Sequence, residues 1–212
     1  MKTSHILTGT STGIGKTLAS AILMAGTSAR YWKPVQSGIT EGSDTDFVKQ
    51  VTGLPDDRFF PEAVRLTQPL SPHLAADLDG VSLDQDLLLQ VPHSSEPLLI
   101  EGAGGLMVPL TWSWLQIDYF AELGFPVILV TSTQLGTINH TLLSLEALRH
   151  RHIPVAGLIL NGEWNDGNDR SLRHFGEVPV LGWIPPLAGP FTPTLLTSVF
   201  RQHFDLNWFG AE

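Results

Sequence analysis

A glycine-rich segment near the start of the chain, residues 9–17, constrains the fold more than any other feature of the sequence. It ends in Lys16 and Thr17, follows a short apolar run at residues 5–8 and precedes a helix-forming run at residues 18–25. This order of strand, glycine-rich turn and helix is typical of a loop that binds phosphate. Glycines let backbone N–H groups turn toward an anion, and the helix N-terminus adds a favourable dipole. The segment therefore predicts nucleotide binding.

The spacing within this loop differs from the common form. Gly9 and Gly15 enclose five residues, whereas the common phosphate loop has four between its first glycine and the Gly-Lys pair. In the usual roles, Lys16 reaches the outer phosphates and the hydroxyl of Thr17 holds Mg2+. The alternative interpretation is a turn rich in glycine and threonine that carries a surface lysine.

Composition limits the class of protein and its partners. The 212 residues suffice for one α/β domain with a large core, and we expect residues 1–212 to form a single domain. The formal net charge of −9 argues against binding of nucleic acid, because phosphate backbones attract basic patches. The absence of cysteine excludes disulfides, thiolate catalysis and thiolate metal sites. The N-terminus enters a strand directly, so we expect a soluble, cytoplasmic protein with neither secretory signal nor membrane partner.

Strand and helix signals alternate along the chain, which predicts a mostly parallel sheet covered by helices on both faces. The predicted strands lie near residues 5–8, 29–33, 97–101, 127–130, 155–160 and 180–184. The predicted helices lie near residues 18–25, 45–51, 116–123, 137–151, 169–175 and 195–203. Between residues 55 and 97 the signals are weaker, with a short strand at 63–65 and helices after Ser71 and at 83–90.

Three polar residues offer ligands for a hard cation. Glu101 ends an apolar strand and precedes a run of glycines, and ligands of open α/β sheets bind beyond the carboxyl ends of the strands. A carboxylate is costly to bury there unless it is used. Together with Thr17 and Asp44, Glu101 supplies the oxygen ligands that Mg2+ prefers. Asp44 alone has an alternative role as the N-cap of the following helix.

Two further groups could contact a substrate. Lys33 and Ser37 follow the second predicted strand, where a second lysine could neutralise charge that develops on a phosphoryl group. An ordinary surface lysine is the alternative. Residues 136–139 begin a long predicted helix whose free N–H groups could receive a carboxylate, although a helix start with only a structural role fits equally well.

Five segments together resemble the dethiobiotin synthetase family over roughly residues 5–187. They are residues 9–17, 33–38, 101–105, 135–140 and 157–161. The first is shared with related ATPases, whereas the second and fourth are much more specific. Two positions depart from the family pattern: Gly13, where some members carry an acidic residue, and Gln134, where some carry a basic one. We expect these departures to change affinity rather than activity.

The resemblance implies a P-loop nucleotide-binding fold and an ATP-dependent cyclo-ligase of biotin biosynthesis. Such enzymes close the cyclic urea of dethiobiotin from 7,8-diaminopelargonic acid and CO2. One amine captures CO2 as a carbamate, the γ-phosphoryl group of ATP activates it as a mixed anhydride, and the second amine expels phosphate. The resemblance also implies Mg2+ and a homodimer with the substrate site near its interface.

Residue roles carry over from the family by matching positions. The implied catalytic residues are Lys16, Lys33 and Thr12, and the implied Mg2+ ligands are Thr17, Asp44 and Glu101. The implied nucleotide contacts are Gly13, Ile14, Gly15, Lys16, Thr17, Leu18, Asp44, Glu101, Gly102, Ala103, Gly104, Asn161, Gly162, Pro185, Pro186 and Leu187. The implied contacts to the diamine and its carbamate are Thr12, Lys33, Ser37, Gly136, Thr137, Ile138 and Asn139.

Three other functions remain open from the sequence. A cobyrinate-type amidase shares the phosphate loop but needs a glutaminase domain with a nucleophilic cysteine, and this chain has no cysteine. A partitioning or septum-positioning ATPase switch usually has a second lysine at the start of the loop, where this chain has Thr10. A family member that binds its substrates without turnover is the third alternative.

Overall fold

The computed structural model describes residue 1 and residues 3–211 of the chain. The strands, in chain order, are β1 (His5–Gly9), β2 (Arg30–Trp32), β3 (Val35–Ser37), β4 (Val64–Leu66), β5 (Leu98–Gly105), β6 (Pro109–Thr111), β7 (Trp114–Leu115), β8 (Val127–Ser132), β9 (Val155–Asn161) and β10 (Val180–Ile184). The helices are α1 (Lys16–Gly26), α2 (Asp44–Thr52), α3 (Pro72–Asp79), α4 (Gln85–Leu88), α5 (Gln116–Leu123), α6 (Thr137–His150), α7 (Asp166–Gly176), α8 (Pro193–His203) and α9 (Leu206–Phe209). Short 3-10 turns occupy Ile39–Glu41 and Asp56–Arg58.

Six of the strands form one parallel sheet in the order β10-β9-β8-β1-β5-β2. β1 lies inside this sheet, where Leu7 is in register with Glu101 of β5 and Ile128 of β8. The chain leaves β1 toward β2 on one side, and it later crosses from β5 to β8 on the other side of β1. Such a reversal of strand order opens a crevice at the carboxyl ends of the strands. The phosphate loop and the end of β5 therefore face the same crevice.

Apolar side chains fill both faces of the sheet. Ile6 points to the face covered by α5, α6 and α7, where it packs in one cluster with Phe120. Leu7 points to the opposite face and shares a cluster with Ile22 of α1 and Phe200 of α8. Burying each side chain of this size contributes about 1.5–3 kcal/mol. This arrangement confirms the predicted α/β fold with a parallel sheet and helices on both faces.

Several local predictions need correction. β5 does not end at Glu101 but continues through the glycines to Gly105, so Glu101 lies within the strand. Residues 35–37, for which no strand was predicted, form β3, which pairs with β4 in a small parallel sheet. The helix expected at residues 83–90 is limited to α4, and the hairpin of β6 and β7 was not predicted. β3 forms only by pairing with β4, which is distant in the sequence, and local sequence patterns do not reveal such pairing.

The helices of the described residues are all too short or too polar to cross a membrane. Trp112 and Trp114 lie in or beside the β6–β7 hairpin and differ in their exposure. Trp114 is buried, and its indole N–H donates to Glu122 at 2.8 Å, whereas Trp112 is 75% exposed and donates to Asp77 at 2.9 Å.

Candidate active site

The phosphate loop connects the end of β1 to the start of α1. Gly15 is the N-cap of α1 and has a left-handed conformation with φ of 95°. The side-chain amide of Asn161, at the end of β9, donates to the carbonyl oxygen of Ile14 at 2.9 Å. A Cβ atom on Gly15 would lie 2.2 Å from that amide nitrogen, so both backbone conformation and close packing require glycine there. Asn161 therefore holds the loop from the neighbouring part of the sheet.

Lys16 folds back onto the phosphate loop. It is only 7% exposed, and its ammonium group donates to the carbonyl oxygen of Ser11 at 3.2 Å. Burial lowers the pKa of Lys16, and the negative charge of Glu101 partly opposes this shift. Among the residues that the structure describes, the ammonium has only this neutral carbonyl as hydrogen-bond acceptor, so an anionic phosphate would be a stronger partner for it.

Glu101 is the most heavily hydrogen-bonded side chain at this end of the sheet, and it is fully buried. Its Oε1 atom accepts from the hydroxyl of Thr17 at 3.2 Å and from the ammonium of Lys33 at 3.0 Å. Its Oε2 atom accepts from the hydroxyls of Ser20, at 2.5 Å, and Tyr31, at 3.0 Å. Four hydrogen-bond donors on one carboxylate compensate for its removal from water.

Lys33 is a buried ion-pairing residue and not the surface lysine that the sequence also allowed. It is 3% exposed, and its ammonium group contacts the carboxylates of both Asp44 and Glu101. Burial alone lowers the pKa of Lys33, but the charges and hydrogen bonds of the two carboxylates outweigh burial and raise it. The ammonium thus lies between two of the three predicted Mg2+ ligands, while the third, Thr17, contacts Glu101.

Asp44 is free of the capping role that the sequence left open. The N-cap of α2 is Ser43, whose hydroxyl accepts from the backbone N–H of Asp46 in a reciprocal capping box. The side chain of Gln36 accepts from the backbone N–H of Asp44 at 3.0 Å and donates to the carbonyl oxygen of Ser37 at 2.8 Å. Gln36 therefore ties a predicted metal ligand to a predicted substrate residue. In the sequence, only the position of Gln36 between Lys33 and Ser37 indicated that Gln36 could belong to the site.

A cavity of about 740 Å³ opens between the phosphate loop, β3, α2 and the end of β5. Its wall includes ten of the predicted site residues, namely Thr12, Gly13, Gly15, Lys16, Thr17, Lys33, Ser37, Asp44, Ala103 and Gly104. Pro69, Leu70, Pro72 and Val108 add an apolar side to this wall. The hydroxyl oxygen of Ser37 is buried without a hydrogen-bond partner among the described residues, so it is available to a ligand.

The remaining predicted residues lie outside the wall of this cavity. Glu101 lies behind it, and the adjoining Gly102 packs so closely that an added Cβ would be 2.7 Å from Phe120. Asn161 ends β9 and Gly162 follows it, and residues 185–187 follow β10. Ile14 and Leu18 pack against the apolar cluster under α1.

The start of α6, predicted to receive a carboxylate, also lies outside this cavity. Gly136 is its N-cap, with φ of 97° and no side-chain cap. Beneath it, the buried hydroxyl of Thr131 lies 2.8 Å from that of Thr137 and 2.7 Å from that of Thr141. A second cavity, of about 340 Å³, separates the phosphate loop from the middle of α6 and shares Thr12 with the first. The hydroxyl cluster fixes α6 against β8.

The donor set around Lys33 suits Mg2+. One hydroxyl and two carboxylates are hard oxygen donors, and Mg2+ is commonly held by one or two carboxylates together with substrate phosphates and water. Across residues 1 and 3–211, there is no group of three or more His, Asp or Glu side chains that could hold a metal ion. Phosphate oxygens and water would therefore have to complete the coordination sphere.

Solved structures share this fold at low sequence identity. A ParA family ATPase from Chlorobium tepidum aligns with a TM-score of 0.54 and 12% identity, covering 88% of this chain and 86% of the other. The MinC:MinD cell division complex of Aquifex aeolicus aligns with a TM-score of 0.51 and 13% identity, covering 94% and 86%. At such identities the likeness concerns the fold alone.

Sequence relatives are much more similar. A family model described as an AAA domain matches residues 3–190. A protein of Brucella anthropi named ATP-dependent dethiobiotin synthetase BioD is 50% identical, covering 100% of this chain and 99% of the relative. Proteins of the same name from Agrobacterium fabrum and Rhodopseudomonas palustris are 50% and 48% identical, covering 99% and 96% of this chain and 98% and 95% of their own lengths. This chain therefore belongs to the dethiobiotin synthetase family.

Proposed function

We propose that this chain is a dethiobiotin synthetase, which uses ATP to close a cyclic urea from 7,8-diaminopelargonic acid and CO2. The observation that carries the proposal is the ion-paired group of Lys33, Asp44 and Glu101 behind a phosphate loop, in which Lys33 and Glu101 are buried. The adjoining cavity is lined by Ser37, whose hydroxyl has no hydrogen-bond partner among the described residues. Full-length relatives at 50% identity carry the corresponding name.

The proposed reaction has three steps. A neutral amine of the substrate attacks CO2, loses a proton and becomes a carbamate. A carbamate oxygen then attacks the γ-phosphorus of ATP, which forms a carbamic-phosphoric mixed anhydride and releases ADP. Finally the second amine attacks the carbamate carbon, the C–O bond to phosphate breaks, and the ring closes with loss of a proton. The protein need not supply a nucleophile, in keeping with the absence of cysteine from the sequence.

The protein's contribution in this scheme is positioning and charge. Lys16 and Lys33 stabilise the oxygens of the transferred phosphoryl group, for which two ammonium groups at one end of the crevice are suited. Thr12 and Ser37, both in the cavity wall, orient the amine or carbamate. The apolar part of the wall, which includes Pro69, excludes water from the reactive anhydride.

The nucleotide and metal contacts are part of the same proposal. The loop residues 13–18 and the β5 residues 101–104 hold the phosphates, and Asn161, Gly162 and residues 185–187 surround the base. Thr17, Asp44 and Glu101 would hold Mg2+, which supplies charge neutralisation between the phosphates. Lys33 contacts two of these residues, Asp44 and Glu101, so its ammonium would share their carboxylates with the metal ion.

The start of α6 is proposed to receive the substrate carboxylate through its free N–H groups at residues 136–139. We also propose a homodimer whose interface lies near this site. Exposed apolar side chains at and near α6 support the proposed interface. Met107, Leu135 and Leu143 are 55%, 107% and 57% exposed. Residues 1–212 would act as one domain in the cytoplasm.

The test is the dependence of phosphate release on the two co-substrates. The purified chain with Mg2+ and ATP should release phosphate rapidly only when both bicarbonate and 7,8-diaminopelargonate are present, because the carbamate is the acceptor of the phosphoryl group. Initial rates with each component omitted measure this coupling. ATP hydrolysis at an equal rate without the diamine would instead support an ATPase switch.

A further inference from the structure

The structure assigns Ser20 and Tyr31 as positioning residues for Glu101. They hold its carboxylate so that only one of the two oxygens faces the cavity where the metal and phosphates would bind. This inference rests on the proposed function, because it concerns how the proposed Mg2+ ligand is presented. Neither residue was among the sequence-predicted site residues, and neither lines the cavity.

The two carboxylate oxygens of Glu101 have different sets of partners. The donors to Oε2, Ser20 and Tyr31, are both 0% exposed and come from different elements, the middle of α1 and the centre of β2. The donors to Oε1, Thr17 and Lys33, both belong to the cavity wall. The carboxylate therefore has an inner oxygen, Oε2, which is held by residues of the core, and an outer oxygen, Oε1, which faces the cavity.

Only the outer oxygen has partners that can be exchanged. Lys33 can leave Oε1 for a phosphate because it lies at the cavity, and Thr17 can turn its hydroxyl proton away when its oxygen binds a metal. Ser20 and Tyr31 have no such alternative, since both are enclosed by the core. The hydroxyl of Tyr31 donates to Oε2 at 3.0 Å and that of Ser20 at 2.5 Å.

A carboxylate that is held in this way presents one oxygen to a metal in a fixed direction. Partners that orient a ligating side chain influence metal affinity almost as strongly as the ligands do, and losing one typically weakens binding or activity about 10–100-fold. Without the two inner hydroxyls, Glu101 could rotate and use either oxygen. The hydroxyls of Ser20 and Tyr31 thus set the geometry of the site without touching substrate.

The experiment compares Tyr31→Phe and Ser20→Ala with a matched control, Tyr119→Phe. Tyr119 is also a buried tyrosine, but its hydroxyl donates to the carbonyl oxygen of Leu88 at 2.9 Å and not to Glu101. ATP affinity is measured by calorimetry over a range of Mg2+ concentrations, with no diamine present. The Mg2+ midpoint is the Mg2+ concentration at which half of the Mg2+-dependent gain in ATP affinity is reached. We expect this midpoint to rise about 10-fold in Tyr31→Phe and in Ser20→Ala and to stay near the wild-type value in the control. ATP affinity without Mg2+ should be unchanged in all three variants.

A double substitution separates positioning from general destabilisation. In a Glu101→Gln background, Tyr31→Phe should produce no further shift of the Mg2+ midpoint, because its effect passes through Glu101. If Tyr31→Phe shifted the midpoint in the Glu101→Gln background as much as in the wild type, the inference would be wrong. It would also be wrong if Tyr31→Phe and Tyr119→Phe had equal midpoints while the ATP affinity of the wild type responded to Mg2+. If Tyr31→Phe does not fold, the midpoint of Ser20→Ala decides in the same way. A wild type whose ATP affinity ignores Mg2+ would overturn the proposed metal site itself.

Discussion

Replacing Lys33 with methionine is expected to lower the turnover number by about 100-fold to 1,000-fold, the cost of removing one group that stabilises a developing charge. Methionine keeps most of the volume of the lysine stem, so the packing beside Tyr31 and Trp32 should survive. The affinity for ATP should fall much less, because Lys16 and the loop N–H groups still hold the phosphates. Single-turnover rates and calorimetric ATP binding measure the two effects separately.

The matched control for this change is Lys49→Met. Lys49 pairs with Asp56 at 3.1 Å, but the two side chains are 37% and 93% exposed, so this pair contributes little. The control should behave as wild type in both assays. If Lys33→Met lost turnover and ATP affinity to the same degree, Lys33 would act in binding of the ground state and not on the transferring phosphoryl group.

Replacing Glu101 with glutamine is expected to raise the Mg2+ concentration needed for tight ATP binding by more than Tyr31→Phe does, since Thr17 and Asp44 remain as ligands, and to destabilise the protein. An amide group has one acceptor oxygen, and its NH2 group must face two of the four donors that now surround the carboxylate. Two buried donors left without an acceptor should cost about 2–4 kcal/mol in the free energy of unfolding. Urea unfolding of the nucleotide-free protein measures this loss.

Glu122→Gln provides the comparison. Glu122 is exposed and accepts a single hydrogen bond, from the indole of Trp114 at 2.8 Å, so an amide oxygen can replace it with little loss of stability. Full stability together with normal Mg2+-dependent ATP binding in Glu101→Gln would contradict the account of Glu101 as a buried metal ligand.

The sequence alone was enough to predict the sheet, its flanking helices and the phosphate loop. These features depend on local patterns: the apolar run before Gly9, the helix after Lys16, and the continuous apolar strands that a parallel sheet requires. The carboxylate of Glu101 could be predicted to matter because charge in such a strand is costly to bury. Family resemblance supplied the roles of the remaining site residues.

The partners that hold the site together could not be predicted in this way. Ser20 has the sequence context of an ordinary helical residue and Tyr31 that of a core aromatic residue, and only the tertiary structure brings both to Glu101. Gln36 likewise acquires its role through hydrogen bonds to Asp44 and Ser37. Hydrogen bonds between residues remote in sequence leave no periodic signal, so the sequence predicted candidate ligands but not the residues that hold them.

The central claim is that the γ-phosphoryl group of ATP activates a carbamate, and the fate of the bicarbonate oxygens tests it most directly. In a single turnover with bicarbonate labelled in all its oxygens with the heavy isotope, a carbamate oxygen attacks phosphorus and leaves with phosphate. The account predicts one labelled oxygen in each phosphate released and one retained in the cyclic urea, as measured by mass spectrometry. Formation of the urea with unlabelled phosphate would contradict it.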